Sequence, residues 1–295
     1  MVNIGASVIV LDNFKSGSID NLSNILHSTR LIKGDVRNYE TVKQSVKGAE
    51  FVFQLAANAS VPASTDDPDY DLNANTLGTY NVLKAIREKG NDTVLVYTSS
   101  AAVYGEPVYT PIDEKHPLNP ASFYGASKMA GEGYCKAFYH IYGIKTVILR
   151  LFNIYGPRQP RYVMYDLLKK LSQNPRILKV LGTGKQKRDF TYVTDCVNAI
   201  LLAATCSNAT GKTINIGTGK AVDIKQLVNL ILDSLRLSGK TTVIYSGKSW
   251  KGDVSTLLAD INLSKSILNY KPTTSLETGL STVVDYFSTH FRKRK

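Results

Sequence analysis

Two stretches of the sequence carry side chains that can move a proton between them. Residues 98–105 read Thr-Ser-Ser-Ala-Ala-Val-Tyr-Gly, and residues 124–128 read Tyr-Gly-Ala-Ser-Lys. On a helix, Tyr124 and Lys128 stand four apart on one face. A free tyrosine titrates near 10, so acting as a base near neutrality means lowering that value by about three units, worth about 4 kcal/mol. An ammonium close by favours the phenolate and supplies much of that shift. A hydroxyl at the carboxyl end of a neighbouring strand would share the substrate's proton, and Ser100 is placed for it. A lone Tyr and Lys at this spacing is an ordinary helix-surface pair. The serines about two dozen residues upstream turn the reading to chemistry.

These residues need a scaffold that brings a strand end to a helix. Short β-branched runs at 8–11, 51–55, 93–98 and 146–151 read as buried strands, each bounded by turn residues. A briefer apolar run occupies 30–32. Between them, 75–89 and 127–142 carry helical periodicity and are closed by Gly90 and Gly143. Strands alternating with helices predict an α/β fold around a doubly wound parallel sheet. The last third adds strand signals at 179–181, 191–193 and 213–216. A boundary falls near Gly156-Pro157, where the strand signal gives way to a proline-containing loop. No internal repeat or low-complexity segment interrupts the pattern.

Composition narrows the function classes. The 295 residues include three cysteines, Cys135, Cys196 and Cys206, without metal-like spacing, so reduced thiols in a cytoplasm are expected and no metal site is. No apolar stretch approaches the roughly 18–20 residues that cross a bilayer, and no signal peptide is evident. The formal charge of +12 comes from scattered lysines and a basic tail at 290–295. Without a nucleic-acid motif, that pattern reads as a solvated surface whose field favours anionic small molecules.

Asp12 ends the first strand. In a dinucleotide-binding unit, an acidic residue at the end of the second strand takes the adenosine ribose hydroxyls, roughly 20 residues after a glycine-rich phosphate loop. Counting back from Asp12 places that loop before Met1. The expectation is a sequence that begins inside the first helix, about 20 residues late, with its first strand and phosphate loop missing. Asp35, in Gly34-Asp35-Val36, could meet the adenine amino group. Leu55, Ala56 and Ala57 close a strand with small residues that admit a cofactor to the backbone.

With these motifs in order, the chain resembles the extended short-chain dehydrogenase/reductase family. Within it, the chain is most similar to the NAD-dependent sugar epimerase/dehydratase group and to UDP-glucose 4-epimerases of the archaeal type. Matching pieces are VIVLDNFKSGS (8–18), GDV (34–36), LAANASV (55–61), NTLGT (75–79), TSSAAVYG (98–105), YGASK (124–128), RLFNIYGPRQ (150–159), RDFTYVTD (188–195), NIGTG (215–219) and GDVSTLLADI (252–261). The resemblance implies a Rossmann-type NAD-binding domain over 1–156, lacking its first strand. A smaller α/β domain over 157–295 would be mainly substrate-binding, with segments returning to the first. It implies catalysis by Ser100, Tyr124 and Lys128. It places Asp12, Asn13, Asp35, Val36, Leu55, Ala56, Ala57, Asn75 and Thr98, with Tyr124 and Lys128, on NAD. It sets Asn153, Lys179, Leu181, Arg188, Trp250 and Asp253, with Ser100 and Tyr124, on a nucleotide sugar, UDP-linked by preference. It also implies a homodimer formed through the helices at 75–89 and 127–142.

Chemistry within the group depends on the two residues immediately after the catalytic hydroxyl. The resembling 4,6-dehydratases carry an Asp-Glu pair there, because eliminating water needs an extra acid and base. Ala101 and Ala102 transfer no protons, which leaves 4-epimerisation by transient oxidation at C4. Trp250 replaces an arginine that often holds a phosphate, so Arg188, supplemented by Lys248 or Lys251, is expected to do so. Leu181 stands where an aromatic often packs near the base. Leu257 stands where a bulky aromatic restricts some pockets, so N-acetylated sugars remain open. Alternatives are another epimerase or a dehydratase of the group, or a non-catalytic nucleotide-binding relative, since the phosphate loop is absent.

Overall fold

The computed structural model describes every residue except Asn91, Trp250, Lys251 and 293–295, with the side chains of 290–292 also outside it. Two compact units make up the chain. The first holds Met1–Val103, Pro120–Leu149 and Ala203–Thr213, and the second Tyr104–Asn119, Arg150–Leu202 and Ile214–Lys295.

The chain opens with β1 (Val8–Asp12), β2 (Thr29–Lys33), α1 (Tyr39–Val46), β3 (Phe51–Gln54), α2 (Val61–Asp66) and α3 (Pro68–Asp71). A π-helical turn at Leu72–Leu77 leads into α4 (Gly78–Lys89), followed by β4 (Val94–Ser100), α5 (Phe123–Tyr142) and β5 (Thr146–Leu151). Farther along come β6 (Asn153–Tyr155), α6 (Tyr162–Gln173), β7 (Ile177–Val180), β8 (Lys187–Tyr192), α7 (Val193–Thr205) and β9 (Thr213–Ile216). The last elements are β10 (Ala221–Asp223), α8 (Ile224–Ser234), β11 (Thr242–Tyr245), β12 (Thr256–Leu257), α9 (Asn262–Leu268) and α10 (Leu276–Arg292). Among the described residues no helix is long and apolar enough to cross a membrane.

β1 and β2 pair in parallel from Val8↔Thr29 to Asp12↔Lys33, and a second sheet runs in the order β3-β4-β5-β9. No ladder among the described residues joins β1 to β3. The Rossmann-type sheet is therefore interrupted where the central strand was expected to be missing. β3 and β4 are parallel, with Gln54 opposite Tyr97.

The core of the first unit forms where the apolar faces of α1, α4 and α5 meet the strands: Val42, Val46, Leu83, Ile86, Leu95, Tyr97 and Cys135 are all buried. Gly131 lets α5 close on β4, because a Cβ there would run into the Tyr97 hydroxyl. In the second unit β8 pairs with β10 in antiparallel sense and with β12 and β6 in parallel, while β11 and β7 form a separate parallel pair. Leu167, Leu171, Leu178, Phe190, Leu227, Ile231, Leu280 and Val283 fill its core.

Several boundaries differ from those read in the sequence. α5 begins at Phe123 rather than at residue 127, because the Ser122 hydroxyl accepts the Gly125 N–H at 3.1 Å and caps the helix a turn earlier. Tyr124 and Lys128 thereby both lie on it. The helix expected from residue 75 becomes the π-helical turn and then α4. The strand expected at 191–193 runs instead over Lys187–Tyr192, and Val193 opens α7.

Candidate active site

The parallel registers put four carboxyl-terminal strand ends of the first unit to use, the edge of an open α/β sheet where ligands bind. After β1, Asp12 Oδ1 accepts the Phe14 N–H at 2.7 Å. Its Oδ2 lies beside Gly17, where a Cβ would come within 3.3 Å. After β2, Asp35 is gripped by Arg37 through Nε and Nη2, both at 2.9 Å, and by the exposed Asn13 amide at 2.8 Å. The Arg37 guanidinium holds the Asp35 carboxyl down to about 2, with the Asn13 bond adding to the effect. Val36 is buried against the core. After β3, Leu55 is exposed while Ala56 and Ala57 are half-buried. Near the end of β4, the Thr98 hydroxyl donates to Gln54 O at 2.9 Å.

Ser100 closes β4, and its hydroxyl accepts the Ala102 N–H at 3.2 Å. Tyr124 is half-buried in the first turn of α5, with its N–H on Ser64 Oγ at 3.1 Å. Gly125 allows this turn to approach the segment after Ser100, since a Cβ would lie 2.5 Å from Ala102 O. Lys128, one turn on, is buried; its ammonium donates to Thr98 O at 2.6 Å and lies 4.9 Å from the Tyr97 ring centroid. Burial pulls the Lys128 ammonium down to about 8, against the opposing charges of Asp71 and Glu132. The predicted trio thus occupies one strand end and one helix turn.

Other residues of this neighbourhood were not singled out from the sequence. Asp71 is fully buried, and Ser127 Oγ donates to its Oδ2 at 2.5 Å. Asn58 and Asn75 amides donate to its Oδ1 at 3.0 and 3.1 Å. Burial pushes the Asp71 carboxyl up, and these donors pull it back. Asn75, expected on the cofactor, spends its side chain inside the protein: Oδ1 takes the Asn58 N–H and Nδ2 serves Asp71 and Ser127. Buried Glu132 accepts from Ser99 Oγ at 2.6 Å. The run Asp-Asp-Pro-Asp-Tyr-Asp ending at Asp71 reads as a solvated acidic turn, whereas Asn75 and Ser127 lie in the motifs at 75–79 and 124–128.

In the second unit, Arg188 is the second residue of β8 and is tightly held. Its Nη2 donates to Asp253 Oδ1 at 2.5 Å and to Val254 O at 2.8 Å, and its Nη1 to Lys187 O at 2.8 Å. The two residues expected to face the sugar nucleotide are therefore partners of one another. Burial lowers the Arg188 pKa, and the Asp253 carboxylate works against that. Asn153, at the start of β6, has a buried Oδ1 that accepts from no donor among the described residues. Lys179 lies on β7 and Leu181 just beyond it, both exposed. Trp250 and Lys251 lie outside the described residues. Among the described residues no cluster of metal-binding side chains occurs.

Residues 1–283 match the family model described as GDP-mannose 4,6 dehydratase. The chain belongs to that family. A putative UDP-glucose 4-epimerase of Methanocaldococcus jannaschii is 37% identical over 290 residues, covering 97% of this chain and 92% of that protein. Among solved structures, a UDP-glucose 4-epimerase of Thermotoga maritima with UDP-glucose superposes with TM-score 0.90 at 31% identity, covering 98% of this chain and 93% of the other. A UDP-glucuronic acid 4-epimerase of Bacillus cereus, in complex with UDP-glucuronic acid and NAD, gives TM-score 0.89 at 29% identity with the same coverages.

Proposed function

We propose that the protein is an NAD-dependent nucleotide-sugar 4-epimerase acting on UDP-glucose and UDP-galactose or their N-acetyl forms. The observation that carries this reading is the cluster of Ser100, Tyr124 and Lys128 followed by two alanines. Ala101 is buried and Ala102 half-buried, and neither side chain can protonate or deprotonate a leaving hydroxyl. Removing water across C5 and C6 needs such groups, whereas inversion at C4 needs only the shared proton at O4. The intact trio also speaks against a non-catalytic relative.

The residues fit NAD by their chemistry. The half-buried Asp12 carboxylate, with Oδ2 beside Gly17, suits a ribose diol, and small residues after β3 leave room along the backbone. Asp12, Asn13, Asp35, Val36, Leu55, Ala56, Ala57 and Thr98 would hold the cofactor, with Asn75 buttressing from behind. When bound, NAD accepts a hydride from C4 of the sugar and gives it back. The protein's own part is proton handling: Tyr124 takes the O4 proton, Ser100 hydrogen-bonds the same oxygen, and Lys128 keeps the phenolate favourable. Asn153, Lys179, Leu181, Arg188, Trp250 and Asp253 serve the nucleotide sugar. The orphaned Asn153 Oδ1 supports this, because a buried acceptor without a donor costs about 1–3 kcal/mol until a ligand meets it.

A panel of nucleotide sugars, assayed for inversion at C4, tests the proposal. UDP-hexoses should be interconverted without loss of water, and release of a 4-keto-6-deoxy sugar would reassign the enzyme as a dehydratase. The protein acts in the cytoplasm as a homodimer built on α4 and α5, where Tyr80, Tyr134 and Ile141 are 36, 42 and 69% exposed. Light scattering should give twice the 32.4 kDa of one chain. Monomer alone at micromolar concentration would remove that claim.

A further inference from the structure

We propose that Asp71 is an ionised positioning residue whose charge keeps Lys128 an ammonium and whose hydrogen bonds fix the turn of α5 carrying Tyr124 and Lys128. The inference rests on the catalytic reading of Tyr124 and Lys128, but its structural basis is independent of which sugar is turned over.

The hydrogen-bond directions are set by one fixed donor. The backbone N–H of Asn58 has a single possible role, and it points at Asn75 Oδ1 at 2.7 Å. That orients the Asn75 amide, so its NH2 group faces the other way. One hydrogen goes to Asp71 Oδ1 at 3.1 Å and the other to Ser127 Oγ at 2.9 Å. Ser127 Oγ is thereby an acceptor from Asn75, and its own proton goes to Asp71 Oδ2 at 2.5 Å, much nearer than Tyr124 O at 3.1 Å. The Asn58 amide adds a third donor at 3.0 Å. A carboxylate accepts all three of these hydrogen bonds at once, which favours the anion against the cost of its burial.

This anion sits one residue from Lys128 through Ser127, and the two charges favour one another's ionised forms. From its own helix Lys128 faces Glu132 and Cys135, and from β4 it faces the Tyr97 ring. Burial works to strip the ammonium of its proton, and Asp71 is the strongest charge acting against that. A lysine lowered in this way is charged below its midpoint and loses its charge as pH rises through about 8. Removing the anion moves that loss to lower pH, toward the range where the enzyme works. Asp71 also ties α3 to α5, since Ser127 lies between the two catalytic side chains' turn and the π-helical segment that holds Asn75.

The test is a pH titration of Lys128 by NMR in the full chain, with isotope-labelled lysine and the signal assigned by its loss in Lys128→Met. Asp71→Asn keeps the size and two of the donor–acceptor contacts while deleting the charge. It should lower the Lys128 midpoint by about one pH unit, as a single nearby counter-charge does. The alkaline fall of turnover should move down with it. Ser127→Ala removes a hydrogen bond but leaves the charge, and its Lys128 midpoint should stay near that of the unmodified protein. If Asp71→Asn does not fold, Asp71→Ser deletes the same charge and leaves space for a water. An unmoved midpoint in the charge-deleted variant, or an equal shift in Ser127→Ala, overturns the proposal. Should no nucleotide sugar be turned over at all, the catalytic reading fails while the lysine titration still decides the role of Asp71.

Discussion

Tyr124→Phe should lower turnover about a thousandfold while leaving the affinity for the sugar nucleotide nearly unchanged. The substitution removes one oxygen from a half-buried side chain in the first turn of α5. The backbone of this turn stays anchored, because the Tyr124 N–H still meets Ser64 Oγ and Ser122 still caps Gly125. What disappears is the acceptor proposed for the O4 proton, and a positioned acid or base is typically worth 10²–10⁴-fold. Steady-state kinetics beside calorimetric binding of the sugar nucleotide checks both halves. Turnover within a few-fold of the unmodified enzyme would remove Tyr124 from the base's role.

Lys128→Met should cost nearly as much near neutrality, with a different signature in pH. The methionine fills the volume of a side chain that is 2% exposed, but the ammonium on Thr98 O is gone. Without the ammonium the phenolate is less favoured, so Tyr124 gives up its proton only at higher pH and the loss is greatest near neutrality. The deficit should shrink about tenfold for each unit of rising pH, toward the unassisted phenol's own titration. Asp71 and Glu132 lose a nearby counter-charge at the same time, so the variant should also melt lower. A loss of activity that is constant across pH would mean that Lys128 acts only as a structural support.

Much of this arrangement was legible in residue order, because the signals are local. Strand 146–151 and the glycine stop at Gly143 come from β-branched runs and a left-handed helix end, and the structure has Thr146–Leu151 and Gly143 at φ 69°. Ser100, Tyr124 and Lys128 stand out because a proton-transfer set has few substitutes. What was hidden is long-range. β8 begins Lys-Arg-Asp, which does not look like a buried strand; Arg188 is accommodated by Asp253, 65 residues on, and by the Val254 carbonyl, and Asp189 by the Thr218 and Gly219 N–H groups. Asp71 was invisible for the same reason. Its partners are Asn58, Asn75 and Ser127, and no spacing rule links an acidic turn to a helix 56 residues away. The early start of α5 depends on the Ser122 hydroxyl, which caps the Gly125 N–H.

The central claim is inversion at C4 by removal and return of one hydrogen, with the proton passing through Tyr124. UDP-glucose carrying deuterium at C4 tests it most directly, by tracking the label and the product mass in ordinary water. The account predicts UDP-galactose with the deuterium still at C4, no solvent hydrogen incorporated there, and no product lighter by one water. Exchange of the C4 label with solvent, or a dehydrated 4-keto product, would contradict it.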